Sequence, residues 1–334
     1  MRAEVERFCA EIGGDALLVQ GAGGNASWKD GDTLWVKASG TWLEEACRRD
    51  IFVPVDLMHL NSAIAVGDFD VTPRAAGPSS LRPSIETLLH ALMPHPVVIH
   101  LHAVEILTHL VRAEFPANLN RLLDDSDLHW VDVAYCKPGA DLARAISAQL
   151  SRNPGAEIVM MQNHGVVIGG RDLERVRFML AQLTLKMRTP PRSPAASQSR
   201  ALPAPLSAGY APAADDAIHQ LAMDDFFYHR LESDWALYPD HVVFLGGRPA
   251  CFEGAESFMA ANPDPAGWPE LLFLRGMGVY ARLGLTQAKL VQLRCYYDVL
   301  ARQPGGQALR SLSLAQIESL LDWDAEKYRM ALSR

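Results

Sequence analysis

Two hydrophobic patterns alternate along the first 188 residues. Short apolar runs rich in Val and Ile read as strands, and stretches with apolar residues every three or four positions read as helices. The pattern predicts a helix over about 3–13, a strand over 16–20 (ALLVQ) and a glycine-rich turn at 21–25. Asp30-Gly31 marks a hairpin between 26–28 and 33–38, since such a pair readily adopts the turn that joins two strands. A helix over about 84–93 comes next, followed by the strand Val97-Val-Ile-His-Leu-His102 and a helix from about 104. Strands over 130–134 and 157–161 and an amphipathic helix over 172–188 complete this half. Hairpins mixed with helices predict an α/β fold with a mixed, largely antiparallel central sheet flanked by helices, not a doubly wound parallel one.

The pattern breaks at residues 189–214, where six prolines stand among Ala and Ser with few large apolar side chains. Such a segment cannot nucleate a core and reads as a linker, dividing the chain into 1–188 and 215–334. Beyond it, residues 270–279 (ELLFLRGMGV) parallel residues 157–166 (EIVMMQNHGV) position by position. A second, smaller α/β domain is therefore expected, either as a degenerate repeat of the first or as a chance match of two strand–turn–helix units. Met277 stands in it where the first copy has His164. A thioether is a poor ligand for zinc beside imidazole, so this domain is expected to carry no metal site.

Composition narrows the class. A chain of 334 residues, 49% hydrophobic and 21% charged, is long enough for two domains with real cores. The net charge of −8 argues against a nucleic-acid surface, which needs a basic patch. The five cysteines are odd in number and lack CxxC spacing, the usage of reduced thiols in a cytoplasmic protein. The N-terminus reads as a charged amphipathic helix and not a signal peptide. With no run of eighteen apolar residues, no membrane span is expected.

Candidate chemistry centres on the histidine strand. Strand side chains two residues apart share a face, so His100 and His102 can reach one ion. His164 follows another apolar strand, directly before Gly165. Three imidazoles with one open position suit a catalytic zinc-type site better than a closed structural one. Manganese or cobalt is compatible with the same donors. Gly21-Ala-Gly-Gly-Asn-Ala26 formally satisfies a dinucleotide-binding pattern, but that reading needs a helix to begin there. A hairpin is predicted instead, so no nicotinamide cofactor is expected. The alternative for this turn is an anion nest of the Gly24 and Asn25 amides with Ser27. Lys37-Ala-Ser39-Gly40 and Arg82-Pro-Ser84, the latter at the N-cap of the helix bearing Glu86, would add two more anion-binding elements. Glu86 reads either as helix-start chemistry or as a general acid/base beside the metal. His90, His95 and His109 read as structural.

These elements occur in a characteristic order: GGNAS, KASG, PSIE, HLHA and QNHG. Together they resemble the class II aldolase/adducin family over residues 1–188, a family that includes fuculose- and rhamnulose-1-phosphate aldolases. Residues 238–245 and 322–328 are similar to the segment after the aldolase domain in bifunctional rhamnulose-phosphate aldolase/lactaldehyde dehydrogenases. The resemblance implies that His100, His102 and His164 hold the metal and that Glu86 is the acid/base. It implies phosphate contacts from Gly24, Asn25, Ser39, Gly40 and Ser84. Ile85 stands where some members have a second serine, with Lys37 or Arg82 available to compensate. The family also uses a tyrosine to protonate the departing aldehyde, and Tyr135 is a nearby candidate whose expected role is packing. The implied reaction is cleavage of a ketose 1-phosphate to dihydroxyacetone phosphate and an aldehyde through a metal-stabilised enediolate, in a homotetramer or other homo-oligomer. Decarboxylation of a phosphorylated sugar acid would use the same site, and a non-catalytic adducin-like module is a third reading.

Overall fold

The computed structural model describes residues 1–192, 206, 209–262, 264 and 267–332. Seven strands form the larger sheet: β1 (Asn25–Asp30), β2 (Thr33–Lys37), β3 (Phe52–Asp56), β4 (Val97–Leu101), β5 (Trp130–Val133), β6 (Ile158–Met161) and β7 (Gly165–Gly170). Their order is β3-β2-β1-β4-β7-β6-β5. Only β5 and β6 run parallel, and the remaining pairs are antiparallel, so the mixed, largely antiparallel sheet is as expected. The hairpin at Asp30-Gly31 forms as read, with Asp30 facing Thr33.

Seven helices cover this sheet: α1 (Arg2–Gly13), α2 (Leu57–Ala65), α3 (Thr87–Leu92), α4 (Val104–Leu110), α5 (Phe115–Leu123), α6 (Ala140–Arg152) and α7 (Leu173–Lys186). Alternation along β4 sorts them. Val97, Ile99 and Leu101 pack with Phe8 of α1, Ile106 of α4 and Leu183 of α7. Val98 packs with Leu60 of α2, Leu89 of α3 and Ile146 of α6. His100 has the parity of Val98, so it lies on the side of the sheet where α3 begins.

Two local expectations are corrected. Residues 16–20 are not a strand. Asp15 captures the chain instead: its carboxylate accepts from the Leu17 amide at 2.8 Å and its carbonyl from the Leu18 and Val19 amides at 2.9 and 3.0 Å. The segment winds into a single turn, because a side-chain acceptor two residues back competes with strand pairing. The helix predicted from 84 starts at Thr87 with Glu86 as its N-cap, so Ser84 is not the cap. The Ser84 hydroxyl accepts from the Glu86 amide at 3.2 Å, and the Ser84 carbonyl accepts from the Thr87 hydroxyl at 2.6 Å.

The second half carries a four-stranded sheet of β8 (Tyr210–Pro212), β9 (Cys251–Phe252), β10 (Leu271–Leu274) and β11 (Gly278–Arg282), in the order β8-β11-β10-β9. Its helices are α8 (Gln220–Met223), α9 (Asp225–Ser233), α10 (Pro239–Leu245), α11 (Ala255–Ala261), α12 (Gln287–Ala301), α13 (Leu314–Leu321) and α14 (Asp324–Leu332). The strand order and directions match those of β4-β7-β6-β5, with the one parallel pair in the same place. The Met161↔Gly165 pairing in β6–β7 corresponds to Leu274↔Gly278 in β10–β11. Most of the expected linker, residues 193–205 and 207–208, lies outside the described residues. The two halves share apolar contacts: Val104, Leu107 and Val111 of α4 belong to the cluster built on Tyr296 and Leu300 of α12.

Candidate functional site

Strand register assembles the site from distant parts of the sequence. β4 pairs with β1 so that Asn25 faces His100, and with β7 so that Leu101 faces Val166. The turn before β7 therefore brings His164 to the end of β4. Gly165 is needed there, because a Cβ would lie 2.4 Å from the Leu101 carbonyl oxygen and 3.0 Å from the His102 ring. Gly24 makes the other close approach, with φ at +66° and a would-be Cβ 3.0 Å from the His100 carbonyl oxygen.

His100, His102 and His164 are all buried, and one ligand atom from each falls within a 4.8 Å cluster. The Nε2 atoms of His100 and His102 are 3.0 Å apart. His164 Nε2 lies 3.1 Å from Glu86 Oε1, and His100 Nε2 lies 3.5 Å from Glu86 Oε2. Each Nε2 thus faces one small volume bounded by the Glu86 carboxylate. On the far side of its ring, His100 Nδ1 meets the Val166 carbonyl at 3.1 Å, which fixes the tautomer leaving Nε2 unprotonated. Asn25 Nδ2 donates to Glu86 Oε2 at 2.9 Å.

The donor set fits a divalent cation. Two unprotonated ring nitrogens at this separation repel unless something positive lies between them, and about 3.3 Å is the ligand–ligand edge of a tetrahedral zinc site. Glu86 Oε1 is buried without a hydrogen-bond partner among the described residues. Burial, with the neighbouring rings assisting against the Glu86 charge, pushes His100 down to about 3, so its imidazole is in the neutral, ligating form. Burial tends to raise the Glu86 carboxyl, but His100 and His164 outweigh it and hold it well below the usual carboxylate range.

Beside this cluster lies a pocket lined by Gly24, Asn25, Lys37, Ser39, Gly40, Ser84, Ile85, Glu86, His102 and Arg329. The Lys37–Gly40 and Arg82–Ser84 segments are zipped together, the Ser39 amide donating to the Arg82 carbonyl at 2.9 Å and the Ser84 amide to the Lys37 carbonyl at 3.1 Å. The Lys37 ammonium donates to the Thr41 carbonyl at 2.6 Å, and burial, reinforced by Arg329, lowers it to about 7. All five expected phosphate residues line this pocket. Ser27 does not: its hydroxyl bonds His90 Nδ1 at 2.8 Å. Arg82 is turned away, stacked on the Tyr328 ring at 4.3 Å. Tyr135 packs against the apolar cluster of the second half, its hydroxyl buried without a partner among the described residues.

Residues 3–188, which carry the whole histidine cluster, match the Class II Aldolase and Adducin N-terminal domain. The chain belongs to this family. A Bacillus subtilis (strain 168) protein, the uncharacterized oxidoreductase YuxG, is 29% identical over 179 residues, 49% of this chain and 25% of that one. The chain thus spans about a quarter of that relative's length. Among solved structures, the N-terminal class II aldolase domain of a conserved Thermoplasma acidophilum protein aligns with a TM-score of 0.47 and 24% identity, covering 55% of this chain and 90% of that one. A sugar-phosphate aldolase from Thermotoga maritima gives 0.43 and 16%, covering 56% and 93%. The class II aldolase/adducin fold supplies every residue of the histidine cluster, but not every residue at the site. Asp240 and Arg329, both beyond the matched segment, reach it from the second half. No helix among the described residues is long and apolar enough to cross a membrane.

Proposed function

We propose that this class II aldolase-family chain is a metal-dependent carbon–carbon lyase that cleaves a ketose 1-phosphate to dihydroxyacetone phosphate and an aldehyde. The observation that carries the reading is the adjacency of two devices. A buried three-histidine cluster with a carboxylate at its open side borders a pocket of glycine turns, hydroxyls and a buried lysine. The first suits a substrate carbonyl and its neighbouring hydroxyl, the second a phosphate.

His100, His102 and His164 would hold the ion, with zinc favoured by three imidazoles and manganese or cobalt as alternatives. When bound, the metal supplies a Lewis acid at the oxygen where negative charge develops. The loops at Gly24, Ser39 and Ser84 anchor the phosphate, which fixes the sugar carbons relative to Glu86. In cleavage the bond beyond the third carbon breaks and its electron pair stays on that carbon. The hydroxyl on the fourth carbon becomes the aldehyde as its proton passes to the Glu86 carboxylate. Glu86 returns a proton to the third carbon, and in the reverse direction removes it. Asn25 holds one Glu86 oxygen at 2.9 Å, which leaves the other to carry the proton.

The test is a screen of ketose 1-phosphates for release of dihydroxyacetone phosphate, with and without chelator. Chelator-sensitive release supports the reading, and carbon dioxide from 3-oxo-tetronate phosphates without triose phosphate replaces it by the decarboxylase. Glu86→Gln should keep the metal and lose proton exchange on dihydroxyacetone phosphate by roughly 10²–10⁴-fold, the usual weight of general acid/base catalysis. Unimpaired exchange in that variant removes Glu86 from the role.

A further inference from the structure

The family match ends at residue 188, yet one of the three clustered histidines has a carboxylate from beyond it at ion-pair distance. Asp240, in the first turn of α10, places Oδ2 3.2 Å from His102 Nδ1. That is the ring nitrogen pointing away from the cluster, the counterpart of the one His100 directs at the Val166 carbonyl. Asp240 is 2% exposed and is itself held by Arg329 and Gln292. Arg329 of α14 forms a fork on it, Nη1 to Oδ1 at 2.6 Å and Nη2 to Oδ2 at 2.7 Å. Gln292 of α12 donates to Oδ2 at 3.3 Å. Glu326, one turn before Arg329, also meets its guanidinium at 3.3 Å.

A buried ion pair is a weak source of stability, because desolvating both charges offsets most of their attraction. As mere glue between α10 and α14 it would be better replaced by apolar contacts. Its placement is what needs explaining. A carboxylate behind a ligating imidazole fixes the tautomer and ring angle and makes the other nitrogen more basic.

We propose that Asp240 is a positioning residue for the metal centre, acting on the ion through His102, and that Arg329 keeps the Asp240 carboxylate in place. The second half of the chain thus completes a site whose ligands all lie in the first. This rests on reading His100, His102 and His164 as ligands, and the test separates the two claims.

The full-length protein is loaded with cobalt(II), and its affinity is measured by chelator competition beside the visible spectrum of the bound ion. Asp240→Asn, which preserves size, and Asp240→Ala should weaken affinity about 10–100-fold, as loss of such outer partners does, and should shift the cobalt bands. Arg329→Gln should move both readouts the same way, while Arg329→Lys restores most of the affinity. Thermal melting of the metal-free variants identifies those that fold, and the less disruptive Asp240→Asn and Arg329→Lys keep the comparison available if Asp240→Ala does not. Folded Asp240→Asn with wild-type affinity and an unshifted spectrum overturns the role of Asp240 and leaves the ligand assignment intact. Wild-type protein that takes up no cobalt overturns the ligand assignment and this proposal with it.

Discussion

The β6–β7 and β10–β11 hairpins are the same piece of backbone in two settings. In both, a left-handed residue begins the turn, Asn163 at φ 53° and Gly276 at φ 70°. The next amide closes it, His164 onto the Met161 carbonyl and Met277 onto the Leu274 carbonyl. The residue before it bonds the parallel neighbour, the Gln162 amide to the Val133 carbonyl and the Arg275 amide to the Phe252 carbonyl. The two turns differ in their surroundings. His164 is 3% exposed and meets two more histidines and Glu86. Met277 is 37% exposed, and the strand on that side, Tyr210–Pro212, carries no histidine. The first copy is also flanked by β1, β2 and α3, which bring Asn25, Ser39 and Glu86, and the described part of the second sheet has no strands corresponding to them. A shared turn geometry is therefore not what makes a site. The turn presents one position, and the chemistry comes from the neighbouring strand and from the helix that starts above it.

The largest effect expected from this comparison comes from making the first hairpin resemble the second. His164→Met should leave the fold standing, since the turn tolerates methionine at Met277. It should lower metal affinity by more than the roughly 100-fold that an outer-sphere partner contributes. Metal content of the purified variant checks it, and full stoichiometry would remove His164 from the ligand set.

A smaller effect is expected at the residue before. Asn163 does what Gly276 cannot: its Nδ2 donates to the Leu237 carbonyl at 2.7 Å and the Arg310 carbonyl at 2.6 Å, both in the second half. The backbone amides behave alike in the two turns, Asn163 bonding the Leu110 carbonyl at 3.1 Å and Gly276 the Ala222 carbonyl at 2.8 Å. Asn163→Gly keeps the left-handed conformation without cost and removes only the side-chain bonds. Stability should fall by about 2 kcal/mol for one buried and one partly buried hydrogen bond. Asn163→Ala should cost about 1–2 kcal/mol more, because alanine is strained in that region. Denaturant unfolding of both variants reads the difference, and equal losses would mean that the left-handed turn is not what selects asparagine.

How far these features can be read from residues alone depends on the range of the interaction. The histidine strand is legible because Val97, Val98 and Ile99 are β-branched and the two histidines keep strand parity. The copied hairpin is legible because its register depends on local turn residues. Residues 16–20 mislead, since an apolar run says strand while a single Asp15 carboxylate reorganises the amides after it. Helix α3 starts late for the same kind of reason, the Ser84 hydroxyl holding the Glu86 amide. All of the expected metal and phosphate residues converge, but Asp240 and Arg329 are invisible as site residues. Their pairing with each other and with His102 joins elements far apart in sequence, with no period to reveal it. The available signal is weaker: a carboxylate at the head of the apolar run Val242-Val243-Phe244-Leu245 is out of place unless it has a buried partner.

The smallest effect expected is also the sharpest check on the comparison. Met277→His restores the residue type of the first copy to the second hairpin, at a position with the same backbone register. If turn geometry plus imidazole were enough, this variant would gain a second metal equivalent. It should gain none, because Tyr210–Pro212 carries no histidine and no donor cluster is found at this hairpin among the described residues. Stability should stay within about 0.5 kcal/mol, as for most surface substitutions away from caps and cores. One tight equivalent in both wild type and Met277→His is the predicted titration. A second tight equivalent would show that the small sheet retains donors near its hairpin, and the division of labour between the two copies would have to be redrawn.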